Sequence, residues 1–256
     1  MREVLEALAA DELSVDEAEA ALAGYVTGEA GRFDVARERR RGIPEGILAE
    51  GKTAPEVADL VDTAVATTHH ALVTRTDRNH REAIQSRLVS AAPDASIEID
   101  ARSRTVVVHA DGYEPPSLDA NVGVVTAGTA DAPAAGEAAV VAGEIGARVT
   151  RIDDVGVANL TRITDRLPEL RSLDVLIVAA GREGALPTVV AGLVDVPVIG
   201  LPVSTGYGHG GAGAAALGGM LQSCSALSVV NIDAGFTAGV QAGLIARQLD
   251  VAASAD

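Results

Sequence analysis

From residue 121 onward, short and almost wholly apolar runs alternate with longer ones of helical character, and few architectures accept that alternation. The runs at 122–126, 148–152, 174–179, 197–201 and 227–232 have the length of strands, and the stretches Asp174 to Ala179 and Val196 to Leu201 are almost uniformly apolar. A strand that is apolar at every position is buried on both faces, as in a parallel sheet covered by helices. Helices are expected at 132–146, 155–165, 184–194, 211–221 and 235–249. Strand–helix alternation of this kind implies a doubly wound α/β domain over 121–250. Ligands of such sheets bind at the carboxyl ends of the strands, in the crevice where strand order reverses.

The segment before it reads as a smaller α/β domain over 42–115. Strands are expected at 46–50, 70–74, 96–100 and 105–110, and helices at 53–67 and 78–91. Thr53-Ala54-Pro55-Glu56 is a capping box with Pro in the first turn. Residues 1–41 read as a helical segment, with a capping box at Ser14 to Glu17 and a stop at Gly28 to Gly31. Asp111 to Ala120, containing Pro115 and Pro116, is the expected linker. The basic run Arg37 to Arg41 reads as a solvated helix end or as a contact for an anionic ligand or a neighbouring subunit.

Composition narrows the function. The 256 residues carry a formal charge of −16. A field of that sign repels nucleic acid and anionic membranes. The aromatics are Tyr25, Phe33, Tyr113, Tyr207 and Phe236, too few for base-stacking platforms. A single cysteine, Cys224, excludes an intrachain disulfide and a zinc–cysteine cluster. No apolar run reaches the about 18 residues of a membrane span, and the acidic N-terminus is unlike a signal peptide, so a cytoplasmic protein is expected. All but one of the 20 basic residues are Arg, the exception being Lys52. Excess carboxylate with almost no Lys resembles the proteins of salt-accumulating halophiles, where screening removes the self-repulsion.

Three expected strand ends run into glycine-rich loops: Gly128-Thr129-Ala130-Asp131, Gly181-Arg182-Glu183-Gly184, and Ser204 to Gly211 with His209 inside it. Glycine lets backbone N–H groups approach an anion, and the following helix N-terminus adds positive potential, so a phosphate-bearing ligand is indicated. No loop is a Walker A, and no GxGxxG stands in place as a dinucleotide fingerprint. Glu183 stands where a carboxylate can move a proton, and Cys224 is either a nucleophile or a small buried hydrophobe. His209 is read as a phosphate ligand, a proton shuttle or an ordinary loop residue. Asp233, ending the last strand, either binds ribose hydroxyls or caps the final helix. Lys52, Arg75, Arg102 and Arg104 lie near strand ends of the smaller domain and would form an anion-binding patch, although the last two also suit a solvated hairpin.

The motifs Gly42-Ile43-Pro44-Glu45, Glu50-Gly51-Lys52-Thr53, Leu72 to Arg75, Ala101 to Thr105, Ala110-Asp111-Gly112, Asp154-Val155-Gly156-Val157, Ala180 to Pro187 and Val230 to Phe236 resemble, in order, those of the LarB family. Residues 121–250 also resemble the wider PurE superfamily of aminoimidazole ribonucleotide carboxylases and mutases. The second resemblance implies a PurE-like C-terminal sheet. The first implies carboxylation of the pyridinium ring of nicotinic acid adenine dinucleotide by CO2 and hydrolysis of its phosphoanhydride. The products would be pyridinium-3,5-biscarboxylic acid mononucleotide and AMP, on the way to the nickel-pincer nucleotide cofactor. It further implies Cys224 as covalent catalyst and Glu183 as ring base. Gly128, Thr129, Asp131, Asp154, Gly181, Arg182, Gly184, Ser204, His209, Asp233, Lys52, Arg75, Arg102 and Arg104 are the expected substrate-binding residues. Mg2+ could assist at the phosphoanhydride, although no metal-ligand spacing shows. Relatives suggest a homo-octamer built on the C-terminal domain.

PurE enzymes carry a Ser-Ala-His-Arg motif after their second strand, where this chain has Ile152-Asp153-Asp154-Val155-Gly156 and no His. Within the LarB pattern, Gly46 and Arg182 stand where apolar residues are expected. Two rival readings stay open: an aminoimidazole ribonucleotide carboxylase, and a nucleotide-binding regulator without catalysis. The charge balance makes its own prediction. The thermal midpoint should climb steeply between dilute buffer and molar KCl, and an unchanged midpoint removes the halophile reading.

Overall fold

The computed structural model describes all residues except 1, 11–13, 16, 17, 19–21, 29 and 254–256. The chain divides into two compact units, Met1–Glu114 and Pro115–Asp256.

In the first unit, helix α1 (Arg2–Ala9) is followed by strands β1 (Val26–Gly28) and β2 (Gly31–Phe33), which pair antiparallel. Part of 1–41 is therefore a hairpin, not a helix. Val26 and Thr27 are β-branched and Phe33 is buried under the sheet, so tertiary burial overrides the helical reading. The capping box at Ser14 to Glu17 lies partly outside the described residues. Helix α2 (Arg37–Arg41) holds the basic run. Arg37 pairs with Glu45 at 2.9 Å and Arg40 with Asp34 at 2.6 Å, so two of its cations are used inside the unit.

A four-stranded sheet follows in the order β3, β4, β6, β5, from β3 (Gly46–Leu48), β4 (His70–Thr74), β5 (Ser96–Asp100) and β6 (Thr105–His109). The first pair is parallel and the others antiparallel. Helix α3 (Ala54–Thr68) opens on the expected capping box: Thr53 Oγ1 accepts from the Glu56 N–H, and a Glu56 carboxylate oxygen accepts from the Thr53 N–H at 2.7 Å. Helix α4 (Arg78–Ala91) opens on a second one, in which His80 Nδ1 accepts from the Asp77 N–H. That bond leaves His80 Nε2 as the donor to the Lys52 carbonyl at 2.9 Å, tying α4 to the loop after β3. The apolar faces of both helices cover one side of the sheet through Val57, Val61, Ile84 and Leu88.

The second unit is a five-stranded, wholly parallel sheet in the order β11, β10, β9, β7, β8. Its strands are β7 (Asn121–Thr126), β8 (Arg148–Ile152), β9 (Val175–Ala180), β10 (Val198–Pro202) and β11 (Ser228–Val229). Helices α5 (Ala132–Glu144) and α10 (Gly235–Ala253) pack on one face. Four short helices cover the other: α6 (Thr161–Thr164), α7 (Leu167–Leu170), α8 (Ala185–Ala191) and α9 (Ala214–Leu221). Every residue of β9 and β10 is buried, as strands covered on both faces must be. The helix expected at 155–165 is reduced to α6 and α7. Pro168 lies in the first turn of α7, where it breaks the run from α6. The strand expected at 227–232 pairs only over two residues, because Asn231 to Asp233 turn back to bond the β10 loop. No helix among the described residues is long and apolar enough to cross a membrane.

Candidate active site

From β7 the chain crosses to β8 on one side, then returns to β9 on the other. Strand order therefore reverses between β7 and β9, and their loops part at the carboxyl edge. A cleft of about 490 Å³ opens there. The β7 loop supplies Gly128 and Asp131, the β8 loop Gly156 and Val157, the β9 loop Gly181 to Gly184, and the β10 loop Thr205 and Tyr207.

Asp131 ends a single 3-10 turn before α5 and is 4% exposed. Its carboxylate accepts from the Gly128 N–H at 2.8 Å and from the Thr205 hydroxyl at 3.4 Å. Burial nevertheless holds its carboxyl above the usual aspartate range, the hydrogen bonds opposing that rise only in part. A side chain at Gly181 would run into Thr205 and, at 3.1 Å, into Asp131, so only glycine lets these loops meet. Gly184 has φ +70 at the start of α8, a left-handed turn that presents Glu183 and Arg182 at the mouth. Both side chains are exposed. The Arg182 guanidinium lies over the Tyr207 ring, 4.2 Å from its centroid. Tyr207 was not a sequence candidate. Its signal was a rare aromatic between two glycines in a strand-end loop.

The other expected site residues stand outside the cleft lining. Thr129 and His209 are exposed on the β7 and β10 loops, outside the lining itself. Asp154, in a left-handed conformation, pairs with Arg162 at 3.2 Å. Asp233 accepts from the Ser204 N–H at 2.9 Å, and Ser204 is thereby fixed at the end of β10. Cys224 is exposed, in the connection from α9 to β11. Its neighbour Ser225 sits by Gly192, at the end of α8 remote from Glu183. One length of α8, seven residues or roughly 10 Å, therefore lies between the neighbourhoods of Cys224 and Glu183. Asp131 has both oxygens engaged, which leaves Glu183 as the free carboxylate of the lining. Those two do not make an oxygen cage for Mg2+, which would have to arrive on phosphates.

In the first unit the topology does bring Lys52, Arg75, Arg102 and Arg104 to one edge, since β3 and β4 end where β6 begins. Arg75 pairs with Glu50 at 3.1 Å, and Lys52 donates to the Leu48 carbonyl at 2.6 Å. Arg104 donates to the carbonyls of Thr76 at 3.1 Å and Arg75 at 3.0 Å. Arg75 and Arg104 both hold left-handed backbones without being glycine. Arg102 is exposed at the hairpin, where its N–H is held by Asp100.

Removing the Asp131 charge has a defined consequence. A carboxyl raised by burial favours the folded state while protonated, and that contribution fades as pH rises through its folded pKa. Asp131→Asn should therefore raise the thermal midpoint at neutral pH, as the neutral amide keeps the uncharged form that burial favours. The gain should vanish on acidification toward the ordinary aspartate pKa of about 3.9. A midpoint lowered at neutral pH would show that the ionised carboxylate is held favourably.

The family model described as LarB/PurE-like N-terminal domain matches residues 25–110, and the one described as AIR carboxylase matches 121–255. An uncharacterized protein of Methanocaldococcus jannaschii is 37% identical over 219 residues, 84% of each chain. Treponema denticola PurE, a crystal structure, is similar at 19% identity with a TM-score of 0.40, over 50% of this chain and 78% of that one. With both domains matched in order, and with that relative along most of its length, the chain belongs to the LarB family within the PurE/AIR carboxylase superfamily.

Proposed function

We propose that this chain converts nicotinic acid adenine dinucleotide, CO2 and water to pyridinium-3,5-biscarboxylic acid mononucleotide and AMP. The observation that carries the reading is the make-up of the cleft. It presents a free carboxylate, Glu183, and a cation, Arg182, and no imidazole among its described residues. Aminoimidazole ribonucleotide chemistry of the PurE type uses a His to move its proton, and His209 stands outside the lining. Glu183 is also the residue that the LarB pattern makes the base.

A pyridinium ring is electron-poor and does not attack CO2. Addition of the Cys224 thiolate to a ring carbon forms a C–S bond and a neutral dihydropyridine, whose enamine carbon is nucleophilic. That carbon bonds to CO2. Glu183 then removes the proton from the newly carboxylated carbon, the electron pair restores the aromatic ring, and the C–S bond breaks to release the thiolate. Water cleaves the phosphoanhydride to release AMP. The glycine-rich loops at Gly128 and Gly181 would hold phosphate oxygens through backbone N–H groups. In the first unit, Lys52, Arg75 and Arg102 are proposed to serve an anionic ligand. Arg104 is proposed to hold their edge together, as its two carbonyl bonds support.

Cys224 is absent from the lining of its own cleft. The reading therefore draws the sulfur from a neighbouring copy, in the homo-octamer expected from sequence. The exposure of Cys224 and of Leu221, three residues before it and 63% exposed, supports an assembly contact there.

Cys224→Ser and Glu183→Gln should each lower carboxylation by about a hundredfold or more while leaving the thermal midpoint near that of the parent. Mixing the two inactive variants under subunit exchange should restore part of the activity, because some clefts then pair an intact Glu183 with an intact Cys224. A Cys224→Ser rate close to the parent's would end the covalent mechanism. A mixture that stays inactive would place both groups on one chain.

A further inference from the structure

Arg182 has one interaction, its seat over the Tyr207 ring, and no ion pair or hydrogen bond among the described residues. Most other arginines of the second unit hold carboxylates or carbonyls; Arg148, Arg151, Arg162, Arg166 and Arg171 all do. On a chain of charge −16, an arginine with all its donors unused at the mouth of a cleft is conspicuous. The ring beneath it is 77% exposed and is the one aromatic in the cleft lining.

We propose that Arg182 and Tyr207 form an exchange pair for a ligand that carries both a cationic aromatic ring and an anionic arm. The inference rests on the pyridinium reading above and names the device that recognises such a substrate. A guanidinium on an exposed ring is weakly held, whereas its planar fork binds phosphate or carboxylate through two charge-assisted hydrogen bonds. The anionic arm therefore draws Arg182 off the ring. The vacated face accepts the pyridinium, whose positive charge replaces that of the guanidinium over the same quadrupole. Each half of the ligand satisfies the group that the other half displaces. A ligand with only one half meets competition: a cationic ring without an anion has to displace Arg182 with nothing to pair it. The pair thus selects against cationic nucleosides that lack phosphate.

The expected signature is a crossing of affinities. Calorimetric titrations of the full chain would use two probes, nicotinic acid mononucleotide, which has both halves, and nicotinamide riboside, which has the cationic ring alone. Arg182→Met should weaken the mononucleotide about tenfold, through loss of the bidentate pair, and tighten the riboside severalfold, through loss of the competitor. Tyr207→Phe should preserve both affinities, and Tyr207→Leu should weaken both. Arg182→Met changing the two probes in the same direction, or neither, would overturn the exchange while leaving the pyridinium reading in place. So would Tyr207→Leu binding both probes like the parent. A parent that binds neither probe would overturn the reading and the inference together.

Discussion

The structure depends on one topological event, the return of the chain across the first strand of its parallel sheet. With β8 paired on one side of β7 and β9 on the other, the loops after β7 and β9 are forced apart at their carboxyl ends. Asp131, Arg182, Glu183 and Tyr207 are all arranged around that gap. Closure of the loops over it needs small residues, which is why Gly181 sits against Thr205 and Asp131. The same closure buries the Asp131 carboxyl, so the cleft floor carries a group held toward its neutral form while the mouth carries the exposed Glu183 and Arg182.

In the proposed reaction this arrangement separates binding from chemistry. The floor is made of backbone N–H groups and a carboxylate already engaged by Gly128 and Thr205, which suits the recognition of a ligand that brings its own charge. The exposed mouth holds the groups free to move. Under the proposed reaction Glu183 would reach a ring without leaving its turn, since Gly184 fixes the backbone while the side chain stays in solvent. The lone thiol lies beyond α8, so in the proposed reaction the nucleophile and the base are brought together by assembly, not by the fold of one chain.

Much of this was legible in the sequence, for identifiable reasons. The continuous apolar run of β9 admits only a doubly covered strand, and Thr53 with Glu56 fixes the start of α3 to the residue. Where long-range pairing decides, local signals failed. The hairpin at 26–33 is held by burial of Phe33 against α3, and β11 is cut short because Asp233 turns to bond Ser204. The glycine-rich loops stand around the cleft, and within them Gly128, Asp131, Gly181, Arg182, Glu183 and Gly184 line it. Asp154, Ser204 and Asp233 occupy strand ends too, yet their side chains or N–H groups are spent on Arg162 and on each other. Spacing along a chain cannot tell a residue that lines a crevice from one that braces its wall. Nor can it tell which end of α8 a distant cysteine will reach.

The central claim is that this cleft carboxylates a pyridinium ring. Incubating the full chain with nicotinic acid adenine dinucleotide and isotopically labelled bicarbonate, with mass spectrometry of the products, tests it directly. The account predicts AMP together with a mononucleotide that carries one labelled carboxylate more than nicotinic acid mononucleotide. Recovery of the dinucleotide without label, alongside labelled product from aminoimidazole ribonucleotide, would contradict it.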